Sequence, residues 1–157
     1  MRRIAILSVL TLVLQAAAGI AFGQELAREV SDEDLTKVKG RVDQFFQSLT
    51  SRTLGPDRAF REVIADGPLK DRNDEIAKLI EHALALDQRY GIYTGHELAS
   101  TKTIGADVVF LRYLYKAERF PVVFYFTFYR PGSVGGVQRD WSLIALRFDA
   151  RIDSLEK

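Results

Sequence analysis

The chain has 157 residues, 22 of them basic and 21 acidic, with two histidines and no cysteine. Interspersed charges of both signs exclude the one-sided basic stripe expected of a nucleic-acid binder. The missing cysteine excludes thiol catalysis, iron–sulfur clusters, zinc–thiolate sites and a disulfide-stapled scaffold.

Residues 1–23 have the order of a secretory signal peptide. Arg2 and Arg3 give a basic start, "IAILSVLTLVL" an apolar core and "QAAAGIAFG" the small residues for cleavage. Ala21 and Gly23 place the cut before Gln24, with a cut after Ala18 as the second choice. A retained anchor is the competing reading, because Ile4 to Phe22 nearly reaches the length of a membrane span. With no cysteine after the apolar core, a lipidated anchor is excluded. Cleavage leaves a nearly neutral chain of single-domain size, with no membrane attachment and a bacterial periplasmic or secreted destination. Within it, residues 24–30 read as a flexible lead-in, 31–152 as one domain and 153–157 as a polar tail.

From Ser31 the pattern is helical. Leu35, Val38, Val42, Phe45, Phe46 and Leu49 recur at three- and four-residue steps, on one face. Ser31 caps the first turn, and Asp32, Glu33 and Asp34 sit where the helix dipole favours negative charge. Gly55-Pro56 reads as a break, followed by a short helix over 57–65 that Gly67-Pro68 ends. A third helix starts at Asp71 or Asn73 and continues through Ile76, Leu79, Ile80, Ala83 and Leu86 towards Gly91.

After Gly91 the period changes to two, and four strands are expected over 92–101, 107–118, 121–130 and 140–149. Short connections make neighbours antiparallel, while "PGSVGGVQR" gives a long glycine-rich loop before the last strand. A two-residue turn at Glu118-Arg119 sets Tyr115 against Val122, Tyr113 against Phe124, Leu111 against Phe126 and Val109 against Phe128. That face is apolar throughout and belongs to the helices. On the last strand Ile144, Leu146 and Phe148 read as core, aligned with Phe126, Phe124 and Val122. Phe110, Arg112, Tyr125, Tyr129, Trp141, Leu143 and Arg147 then share the outer face.

Three N-terminal helices packed on a curved four-stranded antiparallel sheet form an α+β architecture. This element order, with its aromatic strands, resembles the NTF2-like, or cystatin-like, superfamily. The resemblance implies a cone of sheet around the helices and a sheet face used for dimerisation. It also implies, from the enzymes of that superfamily, a place between helices and sheet where an aspartate base meets a tyrosine.

Two functional readings follow. The first is a non-catalytic exported domain acting by self-association or by docking a protein partner. Phe110, Arg112, Tyr125, Tyr129, Trp141 and Arg147 would carry that contact, since Tyr, Trp and Arg are typical interface residues. The alternative is a small apolar-ligand binder, or an enzyme, with a pocket between helices and sheet. Tyr93, Tyr113 and Tyr115 would line it, with His96 and Asp107 as its polar groups. No metal or cofactor is expected: His96 and Glu97 fall on opposite faces of a strand, and His82 has no ligand one turn away. Asp66, Asp87 and Asp149 read as turn, cap or strand-end residues.

Overall fold

Ser31 opens the first helix as its sequence suggests: the Asp34 amide donates to Ser31 Oγ at 3.1 Å, and Ser31 Oγ donates to Asp34 Oδ2 at 2.8 Å. The computed structural model describes residues 29–132 and 139–151. The expected leader over 1–23, residues 24–28 of the lead-in, the middle of the glycine-rich loop and the tail lie outside the described residues. Helix α1 spans Asp32–Leu49, α2 Gly55–Ile64, α3 Asn73–Leu84 and α4 Leu86–Tyr90, with a 3₁₀ turn over Pro68–Asp71. Among the described residues no helix is long and apolar enough to cross a membrane.

Three helices were expected, and four are present among the described residues. Pro56 lies in the first turn of α2, where its missing N–H costs nothing, rather than ahead of the helix. The third helix is broken at Ala85, whose amide bonds the His82 carbonyl in a tightened last turn. No glycine or proline marks that break, and Ile76, Ala83 and Leu86 stay buried across it.

The strands β1 Tyr93–Ile104, β2 Val108–Ala117, β3 Val122–Tyr129 and β4 Ser142–Asp149 form one antiparallel sheet in the order β1-β2-β3-β4. The architecture is therefore α+β, with the helices on one face of a four-stranded sheet. The β2–β3 ladder has the expected register, from Tyr115 opposite Val122 to Val108 opposite Tyr129. Phe124, Phe126 and Phe128 face the helices. There they meet Phe45 and Phe46, with ring centroids 5.4 Å apart for Phe45–Phe126 and 5.2 Å for Phe46–Phe124, both edge-on.

Strand β4 departs from expectation. Leu146 lies opposite Phe126 and Phe148 opposite Phe124, two residues away from the expected alignment. Ile144 is an extra residue in a β-bulge, because Ala145 pairs with Thr127 while Leu143 pairs with Phe128. One extra residue reverses the faces of everything before it. Leu143 and Trp141, expected on the outer face, are buried against the helices at 0% and 1% exposure, and Ile144 is only half-buried. The bulge leaves Gly67 tight against β4; a Cβ there would stand 2.5 Å from the Leu143 carbonyl oxygen.

Trp141 also ties the sheet to the start of α1. Its indole donates to Asp34 Oδ1 at 2.9 Å, Arg130 Nη1 donates to both Asp34 oxygens at 2.9 and 2.8 Å, and the Arg130 guanidinium lies 4.7 Å from the indole. Burial works against the charge of Asp34, but hydrogen bonds from Trp141, Ser31 and Arg130, with the charge of Arg130, outweigh it and hold the carboxyl below its usual range. A folded-state value below the unfolded one makes the contribution of Asp34 complete above the unfolded carboxylate value. It is lost as pH falls through the lower folded value. Asp34→Asn is therefore expected to be less stable than wild type at neutral pH, and to lose less on further acidification below pH 4. Urea unfolding across that range measures both.

Candidate functional site

Gly91 turns the chain from α4 into β1. Its φ of 93° suits glycine, and a Cβ would approach the Glu118 Cβ to 2.9 Å. The turn is locked to the β2–β3 connection: Glu118 N–H bonds the Ile92 carbonyl at 3.0 Å, and Arg119 N–H bonds the Tyr90 carbonyl at 2.9 Å. This arrangement sets the last residues of α3 and α4 beside the ends of β1 and β2, facing the C-terminal end of α1.

Between them lies a cleft of about 500 Å³, within the range of small-molecule sites. Leu49, Ala83, Leu86 and Ile92 give it apolar walls; Arg52, Asp87, Tyr93 and Tyr115 add polar groups. Its rim is apolar as well. Leu84 and Ile92, at 66% and 68% exposure, line it. Exposed large apolar side chains gathered round a cleft are the surface mark of a binding site.

From Tyr93 in one wall a chain of polar contacts leads away from the cleft. The Tyr93 hydroxyl meets His96 Nδ1 at 2.6 Å, and His96 Nε2 meets Asp43 Oδ1 at 3.2 Å. The imidazole stacks on Phe46 at 4.5 Å and 21°, which fixes the plane of its ring. The Tyr115 hydroxyl donates to Asp87 Oδ1 at 3.3 Å, and its ring lies 4.9 Å from that of Tyr93. Burial, then the nearby carboxylates, raises the phenol pKa of Tyr93 and Tyr113 (Asp43) and of Tyr115 (Asp87). All three remain neutral hydroxyls.

Four of the five residues expected to share a pocket are thus neighbours: Tyr93 and Tyr115 line the cleft, and His96 and Tyr113 lie behind it. Asp107 does not join them. It is exposed at the start of β2, at the far end of the strand from Tyr115. Asp43 was missed, and Asp87, read from sequence as a turn or cap residue, lines the cleft. Asp43 borders the apolar stripe of α1 one turn before Phe46, the one local signal for it.

On the opposite face of the sheet, Phe110, Arg112, Tyr125, Tyr129 and Arg147 share one surface, with the guanidiniums of Arg147 and Arg112 at 4.1 and 5.8 Å from the Tyr125 ring. Trp141, the largest side chain assigned to that surface by sequence, is in the core instead. Among the described residues no group of three or more His, Cys, Asp or Glu side chains is placed to hold a metal ion. Comparison of the chain with protein-family models, curated proteins and solved structures gives no match.

Proposed function

We propose that the chain is an exported, non-catalytic domain of the NTF2-like kind that binds a small amphipathic molecule in the cleft at the end of its sheet. The observation that carries this reading is the conjunction of apolar wall residues, exposed Leu84 and Ile92 at the rim, and hydroxyls already oriented on one side. The order of helices and strands supports the superfamily, and the basic start and apolar run of residues 1–23 support export. The interior between helices and sheet is filled by Phe45, Phe46, Phe124 and Phe126, so the ligand sits at the end of the cone and not within it.

The test uses N-phenyl-1-naphthylamine, an uncharged fluorophore that brightens in apolar surroundings. It is expected to bind the purified chain saturably. Leu84→Glu and Ile92→Glu, at exposed rim positions, are expected to weaken binding at least tenfold while leaving the circular dichroism unchanged. Saturable binding that neither substitution alters would place the ligand elsewhere.

A further inference from the structure

The hydroxyls of the cleft are nearly all committed within the protein. Tyr115 donates to Asp87, Thr50 donates to the Phe46 carbonyl at 2.8 Å, and Ser51 Oγ is shared with Thr53 Oγ1 at 3.0 Å while accepting two backbone amides. Tyr93 is committed differently, because its partner is an imidazole nitrogen that can either accept or donate. An ionised Asp43 can only accept, so in the neutral imidazole Nε2 carries the hydrogen and Nδ1 accepts from Tyr93. The Tyr93 oxygen then offers a ligand lone pairs and no proton. Once His96 is protonated both ring nitrogens donate. Nδ1–H points at the Tyr93 oxygen, and the phenol hydrogen has to turn away from His96.

The titratable groups facing His96 are Asp43 from α1, Tyr93 from its own strand and Tyr113 and Tyr115 from β2. Glu97 and Lys116 pair with each other on the other face of the sheet, and Asp87 is connected to His96 only through the tyrosines.

Resting on the cleft as the binding site, we propose that its ligand carries a hydrogen-bond acceptor, a carbonyl or carboxylate oxygen, taken by the Tyr93 hydroxyl with uptake of one proton at His96. Set against Tyr93, an acceptor group meets only lone pairs in the neutral site, the charged donor of the cleft lining being Arg52. In the protonated site it gains a donor. Binding of such a ligand therefore tightens on acidification, once His96 carries its second proton.

Prodan, an uncharged naphthyl ketone with no titration of its own in this range, is the probe. Its affinity is expected to rise roughly fivefold from pH 8 to pH 5, the worth of one neutral hydrogen bond. N-phenyl-1-naphthylamine, which has no carbonyl, is expected to bind equally at both. His96→Gln and Tyr93→Phe are expected to flatten the prodan profile while still binding the amine. In ¹⁵N-histidine spectra at pH 8, His96 is expected as the Nε2–H tautomer. A prodan affinity that is flat or weakens on acidification, or an Nδ1–H tautomer, overturns the switch and leaves the cleft standing if the amine still binds and Leu84→Glu releases it. Failure of both probes to bind removes the cleft reading and the switch with it.

Discussion

Trp141→Ala is expected to destabilise the domain by about 4 kcal/mol, the usual cost of deleting a buried large aromatic side chain. That is about a quarter or more of the stability of an ordinary domain. Two losses combine: a fully buried indole is replaced by a void against the core, and Asp34 loses one of the hydrogen bonds that hold it beside Arg130. Urea unfolding, followed by far-ultraviolet circular dichroism because Trp141 is the one tryptophan of the chain, measures the difference. Tyr129→Ala, on the outer face at 38% exposure, is expected to change stability by under about 0.5 kcal/mol. A cost below about 1 kcal/mol for Trp141→Ala would return the indole to the surface, and with it the sheet-docking role that the sequence assigned to it. Conversely, a Trp141→Glu variant that fails to bind a partner would report unfolding and say nothing of an interface.

The reason the indole is inside explains why β4 misled the sequence reading while β2 and β3 did not. A two-residue turn fixes the register of a hairpin, so placing it at Glu118-Arg119 settles each pair down to Val108 and Tyr129. No such constraint crosses the longer loop before β4. The segment from Trp141 to Phe148 is apolar without a break from Leu143 to Leu146, which marks neither face, and a regular strand ending on an inward Phe148 would expose both Trp141 and Leu143. A bulge at Ile144 leaves one ladder residue unpaired, about 1–3 kcal/mol if its polar groups go unsatisfied. It buries an aromatic of about 150–250 Å², roughly 4–6 kcal/mol. Burial wins, and the apolar run across the bulge hides it.

The tyrosines of the cleft were legible because strand pairing brings Tyr93, His96, Tyr113 and Tyr115 to one end of β1 and β2. The same arithmetic excludes Asp107: eight residues of extended chain separate it from Tyr115, roughly 25 Å. The acidic partners were not legible. Whether Asp43 faces His96 depends on how α1 is rotated and slid over the sheet, which the packing of Phe45 and Phe46 against Phe124 and Phe126 decides. Asp87 depends on the unmarked break at Ala85. Periodicity identifies the buried stripe of a helix; the side chains bordering that stripe acquire their partners only on docking.

Phe46 is where core and site meet. It is fully buried, edge-on to Phe45, Phe124 and Phe126, and the imidazole of His96 stacks on its ring. Phe46→Ala is expected to cost about 3–5 kcal/mol, measured by the urea midpoint. A variant so destabilised says little about the site, so the sharper comparison is between two leucines. Phe46→Leu and Phe45→Leu both keep most of the buried volume, and each is expected to cost about 1–1.5 kcal/mol. They differ in what they leave beside His96. Phe45 packs on Phe60 and Phe126 at 5.2 and 5.4 Å, with no ring contact to the imidazole. Removing the Phe46 ring takes away the surface that keeps the imidazole plane aligned with both Tyr93 and Asp43. Phe46→Leu is therefore expected to bind N-phenyl-1-naphthylamine as wild type does but to lose the pH dependence of prodan binding. Phe45→Leu, at equal stability, is expected to keep it. Equal loss in both variants would mean that general loosening of the core, and not the stacked ring, governs the orientation of His96.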